Sequence, residues 1–386
     1  MKIRRIDWRK DMKKKIVMLL LLCTLVMVSA GCKKKAKQET EVTPTPTEEL
    51  NIPTSSPEED TSTVTPTDEL EEETREGQVL SKLTGEWVDE EIGNLRPYAV
   101  MLNNIQYANP QSGTSDASII YEALTEGGIT RLMAIYEDLY DEDGNLLERI
   151  GSCRSARHYF VSFADEYDAI FVHFGETKYA TKKISNLGID TLSGLTGIGS
   201  TVFYRDNSIK APHNAFASGE GILAGTEKKK YRTEYEDDHE SHFAFYKEDT
   251  DLGGTTKVNK VTLKYASFAP YFVYDEETKL YGRYQYGSEH IDYNTKEQLT
   301  FKNIIIQFVR EYDIDKNGYQ TMDIADNRGE GYYISNGSVV PITWKKNEST
   351  KKMRYYDKAG EELTINPGKT FISIFPDSRT ENVTFE

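Results

Sequence analysis

The sequence predicts an α+β protein: an N-terminal α/β domain with a mainly parallel sheet, followed by a β-rich C-terminal domain. Three observations carry this expectation. Between residues 83 and 226, apolar runs of strand length alternate with helix-like segments, the pattern of sheets built through crossover connections. Beyond residue 257 the helical pattern stops, and short β-like runs are separated by Gly, Asn and Asp turns. The length of 386 residues exceeds the roughly 100–200 of one domain.

The first segment is not part of either domain. Met1–Lys15 carries eight basic residues against Asp7 and Asp11, Ile16–Val28 is apolar, and Ser29-Ala30-Gly31 supplies small residues before Cys32. This reads as a signal peptide, because the apolar run is shorter than the roughly 20 residues that span a bilayer. The Gly-Cys junction resembles the bacterial lipobox, which would make Cys32 the acylated first residue of an extracytoplasmic protein held by a lipid anchor. Ser29 stands where that motif usually has Leu. Loss of residues 1–31 removes eight basic and two acidic residues, moving the formal charge from −16 to −22. Such an acidic chain excludes general nucleic-acid binding, which needs a basic surface.

Residues 32–82 are rich in Thr, Pro and Glu and almost free of aromatic residues. They cannot bury enough surface to offset their ordering entropy, so a disordered acidic tether is expected. Within 83–226, strands are expected at Arg96–Asn104, Ala117–Leu124 (or a short helix), Thr130–Leu139 and Ala169–Val172. Helices are expected after Ser155, at Lys178–Leu187 and from Gly219, with a glycine-rich loop at Ile189–Gly199. Residues 227–256 are highly charged and read as a linker. From 257 to 386, β-like runs occur at Val258–Tyr265, Tyr271–Tyr274, Leu280–Tyr286, Ile304–Arg310, Tyr332–Ile334, Ile342–Lys345 and Phe371–Phe375.

The stretch Arg149–Gly175 concentrates the polar chemistry. Ser152 or Ser155 is expected to cap a helix, placing Arg154 and Arg157 at its start, where free N–H groups attract anions. His173 follows an apolar run at the carboxyl end of a strand, where open α/β sheets bind ligands. Further candidates at strand ends and loops are Asn103, Asn104, Gln111, Ser112, Glu122, Glu126, Arg131, His158, Arg205, Asp206, His213 and Asn214.

The order of motifs N-N, P-Q-S-G, Y-E-x-L-x-E-G-G-I-T-R, R-S-A-R, D-A-I-F-V-H-x-G, R-D and A-P-H-N resembles the YerB-like bacterial lipoproteins, a family of two domains of unknown function. In the second half the resemblance rests on F-x-Y-D-x-x-x-x-x-Y-x-R and the closing G-K-T-F-I. It implies the fold and an envelope location rather than an activity. Ser152-Cys153 stands where the family usually has Pro-Val, so the resemblance implies that Cys153 is incidental. Asn109 stands where an Arg is common.

These readings point to a binding or accessory module that holds an anionic, cell-wall-related ligand. Arg131, Arg154, Arg157 and Arg205 would supply the donors, with His158, His173, His213, Asn214 and Glu126 around them. One alternative is a hydrolase or transferase acting on an envelope polymer or peptide, with His173 or His213 as general acid/base oriented by Glu122 or Asp206. Another is a regulator that binds an envelope protein without a pocket. No cofactor and no metal is expected, since neither H-E-x-x-H nor C-x-x-C spacing occurs. Asp313-Ile-Asp315-Lys-Asn317-Gly318 mimics a calcium loop, but its twelfth position is Ile324, and it reads as a hairpin turn.

Overall fold

In the computed structural model, residues 74–253, 256–266 and 268–386 are described. The expected signal peptide, Cys32 and the expected tether of 32–82 as far as residue 73 lie outside the described residues, while Gln78–Leu80, at the end of that stretch, pairs as a strand with Trp87–Asp89. The first half contributes strands β1 (Tyr98–Asn103), β2 (Ile119–Leu124), β3 (Thr130–Tyr136) and β4 (Ile150–Gly151), then helix α1 (His158–Glu166) and strand β5 (Ile170–His173). Helix α2 (Lys178–Leu187), strands β6 (Thr191–Ser193), β7 (Phe203–Arg205) and β8 (Ala215–Ala217), and helix α3 (Gly219–Lys229) follow. The second half supplies β9 (Lys260–Leu263), β10 (Tyr271–Asp275), β11 (Leu280–Gln285), β12 (Asn303–Val309), β13 (Arg328–Ser335), β14 (Ser338–Asn347), β15 (Lys352–Tyr356), β16 (Thr370–Pro376) and β17 (Val383–Phe385).

Local sequence explains the helices. Thr177 caps α2 by accepting from the Ala180 N–H at 3.2 Å, and Gly188 closes it in the left-handed region at φ 68°. Ser218 caps α3 by accepting from Gly221 N at 3.1 Å. Helix α1 differs from expectation, because Arg157 occupies its N-cap position without a side-chain cap. Ser155 instead donates to the Phe174 carbonyl at 3.3 Å, and Ser152 accepts from Asn103.

Among the described residues the largest sheet has eleven strands and a core order β14-β13-β12-β16-β2-β3-β1-β5-β6. Strands β1, β2, β3, β12 and β16 are buried along their whole lengths, which is why they read as nearly continuous apolar runs. The expected mainly parallel sheet of the first half is corrected to a mixed one. Strands β1–β5 and β5–β6 pair in parallel, but β2–β3 and β1–β3 are antiparallel. The link Thr125–Ile129 is far shorter than the dozen or so residues that a parallel crossover needs, and it turns through Gly127 and Gly128 at φ 79° and 70°.

Strand β16 joins the halves. It lies parallel to β12 on one side and to β2 on the other, with Thr370 opposite Ile119 and Ile374 opposite Ala123. The β-rich character expected of the second half is present, but its central strands extend the first half's sheet, and residues 71–386 form one compact unit that includes 227–256. A second sheet, containing β9, β10, β11 and β17, packs Phe272 against Phe371 at 4.9 Å between ring centres. The Asp315 stretch is a hairpin turn between the paired strands Glu311–Asp313 and Gln320–Met322.

Candidate functional site

The segment before α1 is threaded between the carboxyl ends of β1 and β5. Arg154 N–H donates to the Met101 carbonyl at 2.9 Å, Phe174 N–H donates to the Arg154 carbonyl at 3.0 Å, and Ala156 N–H donates to the Gly175 carbonyl at 2.8 Å. Arg131 reaches the same end of the sheet because β3 runs antiparallel to β1, with Arg131 opposite Asn103. Backbone pairing thus brings Arg131 to Arg154 and Arg157, which lie more than twenty residues further along the chain.

Their guanidinium groups are held differently. Arg157 forms a fork with Glu126, with Nε at 2.8 and 2.9 Å from the two carboxylate oxygens and Nη2 at 2.5 Å from one of them. Arg157 Nη1 also donates to the Ser155 carbonyl at 3.4 Å, and Arg131 Nη1 donates to that same oxygen. Arg154 donates to the Pro212 carbonyl at 3.2 Å. Among the described residues no carboxylate pairs with Arg131 or Arg154, so one acidic side chain stands against three guanidinium groups.

Burial and that excess act together on Arg131 and Arg154. Burial, then the charges of Arg157 and Arg154, push Arg131 down to about 9. Burial and the neighbouring Arg157 lower Arg154 as well. Burial opposes ionisation of Glu126, but the Arg157 hydrogen bonds and charge prevail and lower its carboxyl. His213 is lowered by burial and then by Arg154 and Lys210. Its Nδ1 stands 3.0 Å from the Asn103 amide nitrogen and therefore accepts, while its ring meets the edge of Tyr107, which is 58% exposed. Arg205 donates to Asn214 Oδ1 at 2.6 Å and lies 4.8 Å over the Phe174 ring.

The remaining candidates are used elsewhere. His173 is buried, with Nδ1 2.9 Å from the Gly175 carbonyl and Nε2 2.7 Å from Thr191 Oγ1, so neither ring nitrogen faces the arginines. His158 is pushed down to about 4 by burial and then by Lys183, and its Nε2 meets Thr321 Oγ1 at 2.6 Å. Asp206 pairs with Arg149 at 2.8 Å and is held at about 2 by Ser208 and Arg149. Burial pushes the Cys153 thiol up to about 12, far from a nucleophile's range.

Glu122 lies in a buried polar network that ties the halves together. Its carboxylate pairs with Arg283 Nη2 at 2.7 Å and accepts from Asn104 at 2.9 Å and Thr130 at 2.6 Å. Arg283 also donates to Gln285 and His290, and His290 Nε2 meets Gln111 Oε1 at 2.6 Å. Asn104 and Gln111 thus belong to an internal staple. Arg283 is the last residue of the second-half motif F-x-Y-D-x-x-x-x-x-Y-x-R, but nothing in that motif connected it to Glu122.

A cavity of about 780 Å³ lies away from the arginine group, lined by Asp116, Asp141, Glu148, Arg149, Tyr293 and Lys369 among others. Among the described residues no three His, Cys, Asp or Glu side chains are grouped to hold a metal. No helix among them is long and apolar enough to cross a membrane.

Residues 83–232 match the DUF3048 N-terminal domain and residues 261–372 the DUF3048 C-terminal domain, each described as a protein of unknown function. A protein of Bacillus subtilis (strain 168), named as a lipoprotein, YerB, is 33% identical over 308 residues, spanning 78% of this chain and 87% of its own. The crystal structure of the YerB protein from Bacillus subtilis matches with a TM-score of 0.69 at 30% identity, covering 80% of this chain and 99% of that one.

Proposed function

This chain belongs to the DUF3048 family, and on that premise we propose that it is a lipid-anchored envelope protein whose arginine group holds an anionic, cell-wall-related ligand. The observation that carries the reading is the imbalance of charge: among Arg131, Arg154 and Arg157 only Arg157 is paired with a carboxylate, that of Glu126. Arg154 is the contacting group, being only half-buried and bonded to one carbonyl. Arg131 and Arg157 lie behind it as fixed positive charge, which strengthens anion binding without contact. A planar guanidinium matches carboxylate and phosphate oxygens in pairs. His213, the exposed Tyr107 ring and Arg205 extend the surface on which a polymeric anion would lie. The lipobox at Cys32 and the acidic stretch after it give this module its place at the membrane surface.

The test is the melting temperature of the mature chain with increasing inorganic phosphate, and separately with a glycerol-phosphate polymer, against chloride at equal ionic strength. Both probes are expected to raise it for the parent protein, and Arg154→Ala is expected to remove most of that rise. Equal stabilisation of parent and variant would overturn the reading. Stabilisation by the polymer alone would identify the ligand as the extended anion rather than the free ion.

A further inference from the structure

A second cavity, of about 460 Å³, lies where the carboxyl end of α1 meets the segment 232–242 and the turn between β14 and β15. Six carboxylates line it, from Asp165, Glu166, Asp168, Glu236, Asp238 and Glu240, against four cations from Arg232, Lys351, Lys352 and Arg354. Most of these charges are already paired with one another. Arg232 bridges Asp168 and Glu236, Lys352 and Arg354 reach Glu240, and Glu166 is bound to the buried Lys346 at 2.6 Å.

Two buried atoms are left over, and both belong to residues lining this cavity. Asp165 is 3% exposed and its Oδ2 has no partner, and His242 is 5% exposed and its Nε2 has none. A buried polar atom without a partner costs free energy that an arriving ligand recovers. The chemistry of that ligand follows from the two atoms. His242 Nδ1 faces the Glu166 carboxylate at 3.8 Å, beyond hydrogen-bond distance, and the neutral tautomer that turns its proton toward that negative charge is the one that offers Nε2 as an acceptor. The imidazole is held in place by stacking on Tyr167 at 4.4 Å and by the edge contact with Phe243. Lys346 beside Glu166 and Arg96 beside Asp168 balance the two carboxylates in excess, so the preference for a cation rests on Asp165: its unpartnered carboxylate oxygen, with His242 Nε2 as a second acceptor, suits a cationic hydrogen-bond donor. Lys351 already shows this chemistry, since its half-exposed ammonium lies 3.1 Å from Asp165 Oδ1.

We propose that this cavity binds the primary ammonium group of a small amine, which donates to Asp165 Oδ2 and His242 Nε2. The site is independent of the arginine group and has the opposite charge preference. A divalent metal fits it less well, because no three metal-ligating side chains are grouped among the described residues.

Titration calorimetry of the full chain with spermidine, and separately with Zn²⁺, tests the proposal. Spermidine is expected to bind, and Asp165→Asn to weaken it about tenfold or more, the usual consequence of losing a charge-assisted hydrogen bond. Lys351→Ala is expected to strengthen binding several-fold by removing the competing ammonium, an outcome that misfolding cannot produce. The proposal is overturned if spermidine does not bind, if its affinity is unchanged in both variants, or if Zn²⁺ binds through Asp165 and His242 while spermidine does not.

Discussion

Arg131 and Arg157 donate to the same carbonyl oxygen, that of Ser155, from two different elements of the fold. Like charges converge there because β3 presents Arg131 at the sheet end where the segment entering α1 passes. Their mutual repulsion is offset unequally. Arg157 has Glu126, whereas Arg131 relies on backbone oxygen and is correspondingly lowered. Arg157 therefore ties the Glu126 turn to the start of α1, and the charge it shares with Arg131 acts on whatever approaches Arg154.

Arg157 and Arg154 are accordingly expected to behave differently, although their places in the sequence suggested one role for both. Arg157→Ala removes the fork to Glu126 and strands a partly buried carboxylate, at a cost of about 2 kcal/mol in denaturant unfolding. Arg154→Ala removes one bond to the Pro212 carbonyl at the surface and should change stability by no more than about 0.5 kcal/mol. Equal losses in the two variants would contradict this division.

The Glu122–Arg283 pair spans the two matched regions, and both side chains are almost wholly shielded from water. Removing one member leaves the other charged and uncompensated, so Arg283→Met is expected to cost about 3–5 kcal/mol. Glu122→Gln in the same background should recover part of that loss, because an amide needs no counter-ion. The double variant being as unstable as the sum of the singles would show that the two residues act independently. The parent is expected to unfold in one cooperative transition, since β16 and this pair both cross between the halves.

What was legible in the sequence followed from local chemistry. Thr177 and Gly188 bracket α2 at the expected residues, and the apolar runs at 304–310 and 371–375 are buried strands. The direction of β2 and β3 was available in Gly127-Gly128, yet the alternation of strands and helices was read as a mainly parallel sheet with an antiparallel hairpin only at one edge. The insertion of β16 between β12 and β2 is a pairing across some 250 residues, for which a single sequence carries no local signal. For the site, the arginines nearest in sequence to α1 were evident. That Arg131 would join them depends on the β1–β3 register, and that His173 would turn inward depends on Thr191. The latter lies in a strand within the stretch read as a glycine-rich loop. Asp165 and His242 gave no motif at all, because their interest lies in bonds they do not make.

Glu137, just beyond β3, provides a pH test of the fold. Burial raises its carboxyl from 4.5 to about 7, partly countered by a hydrogen bond to Ser81, while Asp138 and Glu86 add repulsion. In the unfolded chain the group gives up its proton near 4.5, so between that pH and about 7 the folded state binds more protons. Stability from this group is complete below the lower value and is lost as pH rises through the higher one. Asp116, raised to about 6, and Glu166, raised to about 7, titrate in the same direction. The parent's stability should therefore fall between pH 5 and pH 7.5 from these groups together, and Glu137→Gln should make that fall shallower. The glutamine keeps the shape of the side chain and its capacity to bond Ser81, but it cannot ionise. Denaturant unfolding of both proteins at the two pH values isolates the contribution. A fall of the same size in the variant would mean that Glu137 is ionised in the folded protein throughout this range.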